Sequence, residues 1–200
     1  MSDHVTSGPH GTRANGGLTY ADYAALPDDG QRYQLVEGEL VMAPSPTRWH
    51  QLVIGLIHAR LHEFVEQHGL GEVLMAPLDV VLDDHNVLQP DVLFVSHQRA
   101  AALTDANIQG APDLCVEALS PGTERLDRVR KLALYARFGV PHYWIVDVRA
   151  RSIEEYTLVG EVYRVRSVTG FHDEFRPAAP AGFVFRLDQV ALPAPPDRTE

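Results

Sequence analysis

Gln89-Pro90-Asp91-Val92-Leu93-Phe94-Val95, then Leu114-Cys115-Val116-Glu117-Ala118-Leu119, then a helical stretch carrying Lys131: the reading of this chain turns on these pieces. The first run is apolar from Val92 onward, as a strand covered on both faces is. The second is apolar except for Glu117. Side chains alternate across a strand, so Cys115, Glu117 and Leu119 share one face and Leu114, Val116 and Ala118 the other. A carboxylate inside an apolar strand is costly unless a cation, a metal or a set of donors meets it. Asp91 raises the same question at its strand start. If the two strands are neighbours, the acids can share one ion. Oxygen-only ligation selects a hard cation such as Mg²⁺, completed by water and phosphate. A lysine beside such an ion can orient or deprotonate the attacking water, or stabilise developing negative charge. A second reading of the same residues stays open. Pro90-Asp91 can simply mark a strand start, Glu117 can be a core acid paired with Arg125 or Arg128, and Lys131 can lie on the surface.

The flanking segments read as scaffold. Thr19 is placed to cap a short helix from Tyr20. Tyr33–Met42 reads as one strand or as a hairpin, Tyr33–Glu37 and Glu39–Met42, around Gly38. Ser45 and Pro46 give a cap-then-proline start to a long helix with an apolar stripe of Leu52, Val53, Leu56, Ile57, Leu61, Phe64 and Val65, closed by Gly69. Glu72–Met75 and Leu78–Leu82 read as two short strands or one bent strand around Pro77, and Asp83–Asn86 as a tight turn. Ser120-Pro121 repeats the helix-start signal. That helix runs to about Phe138, with Val129, Leu132, Ala133 and Ala136 expected inward. Tyr143–Asp147 is a further strand, so strand, helix, strand forms a right-handed crossover between parallel strands. Ile153–Leu158 and Glu161–Ser167 form a hairpin, and Phe183-Val184-Phe185 is a candidate edge strand. The order predicts a mixed sheet with helices on its faces, of the α/β or α+β class.

Two hundred residues suit one domain, expected over 18–190, with a disordered tail at 1–17 and a proline-rich tail at 191–200. No apolar run reaches membrane-spanning length and Met1–Gly17 has no apolar signal core. A single cysteine rules out an internal disulfide framework and fits a cytoplasmic location. The net charge of −10 gives no overall attraction to nucleic acid. Regionally, Arg125, Arg128, Arg130, Lys131 and Arg137 outweigh Glu124 and Asp127 in the helix after the second acidic strand.

From about Tyr20 to Leu187 the chain resembles the Uma family of putative restriction endonucleases, in the PD-(D/E)xK, restriction-endonuclease-like superfamily. The resemblance rests on Tyr33-Gln34-Leu35-Val36-Glu37-Gly38-Glu39-Leu40, Pro44-Ser45-Pro46 with His50, Gln89-Pro90-Asp91-Val92, Val116-Glu117-Ala118-Leu119-Ser120-Pro121, Lys131 with Tyr135, and Tyr143-Trp144-Ile145-Val146-Asp147. It implies a helix–three strands–helix–strand core around a mixed four-stranded sheet, with extra hairpins. It implies that Asp91 and Glu117 bind Mg²⁺ or Mn²⁺, with the Ala118 backbone carbonyl as a further ligand. The superfamily lysine belongs two residues after the second acid, where this chain has Leu119; the relocated candidate is Lys131. Glu37 matches an acid of the N-terminal segment that can complete the metal or water shell; a solvated hairpin acid is the alternative. His50 either touches phosphate or packs.

The implied activity is Mg²⁺-dependent hydrolysis of DNA phosphodiester bonds, with a homodimer as one way to make two cuts. The rival is a non-catalytic nucleic-acid-binding or protein-assembly module on the same fold, favoured by the acidity and the displaced lysine. Other residues carry less. His58 and His62 have metal-binding spacing but no third ligand. Cys115 reads as a small buried residue, Ser120 as a cap, and Tyr143 and Trp144 as core.

Overall fold

The computed structural model describes residues 17–120 and 122–188. The expected tails lie outside these residues, Gly17 apart, as does Pro121. Helix α1 (Tyr20–Ala24) starts with a capping box: Thr19 Oγ1 accepts from Asp22 N, and the Asp22 carboxylate accepts from Thr19 N. Strands β1 (Arg32–Val36) and β2 (Glu39–Ala43) form the expected hairpin. Its two-residue turn, Glu37-Gly38, takes positive φ at both positions (54° and 75°), which matches the twist of the flanking strands.

Helix α2 (Arg48–His68) starts later than expected. Thr47, not Ser45, is the cap, and its Oγ1 accepts from His50 N at 3.2 Å. Gly69 closes α2 in the left-handed conformation, as predicted. There follow β3 (Gly71–Met75), β4 (Val80–Asp83), β5 (Asn86–Leu88), β6 (Val92–Ser96), a 3₁₀ turn (His97–Ala102), β7 (Ile108–Gln109) and β8 (Leu114–Ala118). A π-helical segment (Leu126–Lys131) runs directly into α3 (Leu132–Arg137), and β9 (His142–Asp147), β10 (Ser152–Val159) and β11 (Val162–Gly170) complete the order.

Two mixed sheets result. One has the order β11-β10-β9-β8-β6-β3, the other β2-β1-β5-β4-β7. The unit α2, β3, β6, β8, π/α3, β9 is the expected helix–three strands–helix–strand core, and β8 and β9 are parallel across the crossover. The β10–β11 hairpin widens it on one side. The strands on either side of Pro77 are not one bent strand: β3 and β4 belong to different sheets. Met75 is the last β3 residue paired with β6, and Pro77 has no N–H to continue a ladder. Phe183-Val184-Phe185 adds no strand. Phe185 makes a single bridge to Phe175, and Phe175, Phe183 and Phe185 pack around Trp144.

The six-stranded sheet is covered on both faces. On one, Val53, Ile57, Leu61 and Val65 of α2 meet Val92, Val116, Trp144 and Val146. Leu52, expected in that stripe, is 49% exposed, while Ile54 and His50 are buried. On the other face, Leu134 and Tyr135 meet Cys115, Tyr143 and Ile145. Val129, expected inward, is instead 57% exposed, and Asp127 and Lys131 are buried. The π turn is the reason: its wider turn breaks the 3.6-residue period that would carry the apolar stripe back from Leu132.

Candidate active site

Alternation along β8 places Leu114, Val116 and Ala118 in the α2 core and Cys115 in the π/α3 core, so Glu117 faces the π segment. Val92 pairs with Val116, which brings Asp91 beside Glu117 across the ladder between β6 and β8. From the other side the π segment delivers Lys131. Its Nζ lies 2.7 Å from Glu117 Oε1 and 3.2 Å from Asp127 Oδ1, with all three residues buried. Glu117 Oε1 also accepts from Tyr135 OH at 3.0 Å. Glu117 is therefore the partner of Lys131 and Tyr135, not of Arg125 or Arg128. Arg128 pairs instead with Glu154 at 2.8 Å.

Each acid uses one oxygen and spares the other. Asp91 Oδ2 accepts from Ala118 N at 2.8 Å and bonds His50 Nε2 at 3.0 Å. Among the described residues no donor reaches Asp91 Oδ1 or Glu117 Oε2. Asp127 Oδ1, close to the lysine, takes no hydrogen bond either. These residues line a cleft of about 50 Å³, enough for a few water-sized occupants. The cleft lies between the sheets: Asp91 and Glu117 come from the six-stranded one, Arg32 and Gln34 from β1 of the other.

The electrostatics follow from burial. Desolvation pushes Glu117 up to about 8; the Lys131 ammonium pulls against it, while Asp127 and Asp91 add to the rise. Desolvation pulls Lys131 down, but Glu117, Asp127 and Asp91 outweigh it and hold the ammonium above its ordinary value. Burial and the nearby Glu117 keep the Tyr135 hydroxyl protonated, as a donor. Buried Glu117 and Asp127 and half-buried Asp91 thus surround one lysine, and ionising all three leaves an excess of negative charge that a divalent cation would relieve.

Among the described residues no group of three or more His, Cys, Asp or Glu side chains is placed to hold a metal ion. Two carboxylates with spare oxygens, in a cleft with room for water, still suit Mg²⁺, which is commonly held by one or two carboxylates plus water and phosphate.

Glu37 is not brought to the cleft. Its turn directs it to Arg130, 3.4 Å away, which also holds Glu39 at 2.8 Å. His50 does reach the site, through Asp91. Asp127 was missed as a site residue, although its spacing of four from Lys131 was the available signal. His58 and His62 stack on the outside of α2, away from these residues.

The mixed core with helices on both faces is that of a restriction-endonuclease-like protein. The chain belongs to the Uma2 family, described as "Putative restriction endonuclease", whose model matches residues 20–188. A solved structure from Anabaena variabilis, described as a putative nuclease belonging to DUF820, matches with a TM-score of 0.63 at 18% identity, over 74% of this chain and 83% of that one. At that identity the likeness speaks for the fold. No curated protein matches the chain. No helix among the described residues is long and apolar enough to cross a membrane.

Proposed function

We propose that this protein is a Mg²⁺-dependent endonuclease that hydrolyses DNA phosphodiester bonds, with Mn²⁺ as an alternative ion. The observation that carries this reading is the convergence of Asp91, Glu117 and Lys131 in one cleft, each acid keeping one oxygen without a protein donor. Asp91 Oδ1, Glu117 Oε2 and the Ala118 carbonyl would hold the cation. When bound, the cation supplies a Lewis acid for the scissile phosphate and lowers the pKa of a bound water.

The protein residues supply position and charge. His50 and Ala118 N fix Asp91 through Oδ2, which leaves Oδ1 for the cation. Tyr135 does the same for Glu117 through Oε1. Lys131, held in its charged form, acts as a fixed positive charge beside the transferring phosphate. Asp127 keeps that ammonium in place when Glu117 is engaged.

Cleavage of plasmid DNA in Mg²⁺ or Mn²⁺ tests the reading. Wild type is expected to nick, and Asp91→Ala and Lys131→Ala to lose the activity. Cleavage that survives both substitutions sinks it. Duplex cleavage needs two cuts, which a homodimer would supply; sedimentation with and without a duplex tests that. The closed Glu117–Lys131 pair favours the rival, a non-catalytic binding or assembly module, because a resting ion pair already satisfies part of the acid. Thermal stabilisation by Mg²⁺ that disappears in Asp91→Asn speaks for the nuclease, and no metal effect at all speaks for the module.

A further inference from the structure

Gln34 lies on β1, is 4% exposed, and its side chain lines the cleft opposite in origin to the acids. Its Oε1 accepts from Gln89 N at 3.0 Å. A backbone N–H can bond only an acceptor, so this contact fixes which end of the carboxamide is oxygen. The amide nitrogen is then the end left over, and among the described residues it meets no acceptor. It is not among the fully enclosed polar atoms that lack a partner, so it keeps accessible surface, in a residue that lines the cleft. A buried amide donor without a protein acceptor is costly unless something else takes its hydrogen bonds.

Its support is rigid. Gln89, which fixes Gln34 through the backbone, is itself tied by its side chain to Asp79 Oδ1 at 2.8 Å, and Asp79 Oδ1 also accepts from Tyr23 OH at 2.9 Å. A chain of hydrogen bonds therefore runs from α1 through Asp79 and Gln89 to Gln34. Such backing is what a pre-organised donor needs, since it need not reorient when a charge arrives.

We propose that the Gln34 carboxamide is a substrate-binding catalytic residue, whose N–H donates to a non-bridging oxygen of the scissile phosphate. The ligand class is a phosphodiester monoanion, which gains negative charge as the nucleophile adds: the acids and the cation would meet it from the six-stranded sheet, and Gln34 from the other. The inference rests on the nuclease reading. It adds the group that orients the phosphate between the two sheets, a task the acids cannot perform because they accept and do not donate.

Two variants of similar volume test it on a metal-supported oligonucleotide cleavage assay, with thermal unfolding in parallel. Gln34→Glu keeps the acceptor for Gln89 N, loses the donor and adds a negative charge. Gln34→Met loses donor and acceptor without adding charge. Both are expected to lower kcat/KM by about tenfold to a hundredfold, the worth of a hydrogen bond to a charged group, with Gln34→Glu unfolding within about 2 °C of wild type. If Gln34→Met stays within about twofold of wild type, the donor is not needed and the proposal falls while the nuclease reading stands. If only Gln34→Glu is impaired, the added charge and not the lost donor is responsible, and the proposal falls again. If wild type itself does not cleave with any metal, the nuclease reading fails and takes this inference with it.

Discussion

Glu117 and Glu155 are both buried glutamates in one six-stranded sheet, and they live in opposite conditions. Glu155, on β10, is fully enclosed and uses both oxygens: Oε1 accepts from Ala178 N, and Oε2 from Arg166 at 2.7 Å and Ser167 Oγ at 3.0 Å. Glu117 puts both its donors on Oε1, leaves Oε2 to the cleft, and has Asp127 and Asp91 as neighbours. Burial of a carboxylate therefore does not mark a site. What separates the two is whether the surroundings complete the acid or leave part of it unanswered. Glu155 anchors the segment after β11 to the sheet through Ala178, and Glu117 keeps one oxygen without a protein donor.

The largest separation is expected in activity. Glu117→Gln should lower metal-dependent cleavage by roughly a thousandfold, while Glu155→Gln leaves the rate per folded molecule near wild type. Equal losses in a nicking assay would erase the distinction. Stability should separate them the other way. Glu155→Ala removes the partner of half-exposed Arg166 and frees the Ala178 N–H, at a cost of about 2 kcal/mol in urea unfolding; a loss under about 1 kcal/mol would show that Glu155 anchors nothing.

The response to pH sharpens the contrast. Because Glu117 in the folded protein is raised from 4.5 to about 8, its contribution to metal-free stability is full below the unfolded value and fades as pH climbs toward 8. Thermal unfolding in a chelator should show the metal-free protein losing stability over that window, and Glu117→Gln should flatten the loss. The smallest effect belongs to His50. His50→Ala removes one hydrogen bond to Asp91, and metal affinity should weaken by roughly tenfold, read by calorimetric titration with Mn²⁺.

The sequence carried the core sheet and half of the site. Alternation along 114–119 placed Glu117 on the face where Leu119 also falls, and the strand–helix–strand pattern placed β8 beside β9. The helix between them was legible in extent but not in orientation. Its apolar residues suggested that Val129 faces inward. The π turn brings Asp127 and Lys131 inward instead, with Lys131 paired to Glu117 and Asp127, and neither the turn nor the pairing is visible in a 3.6-residue period. The second sheet was legible in its hairpin and, through Leu78–Leu82, in β4, whereas β5 and β7 are three and two residues long and too short for periodicity to register. Gln34 had no signal of its own. A polar residue in a half-buried strand becomes informative only when the structure shows what its amide oxygen already holds.

The central claim is that the spare oxygens of Asp91 and Glu117 hold a divalent cation. Direct titration with Mn²⁺, followed by the paramagnetic signal of the free ion, tests it without calling on any substrate. Wild type and Glu155→Gln should take up the ion alike, while Asp91→Asn and Glu117→Gln should lose uptake. Undiminished uptake by Glu117→Gln would contradict the account.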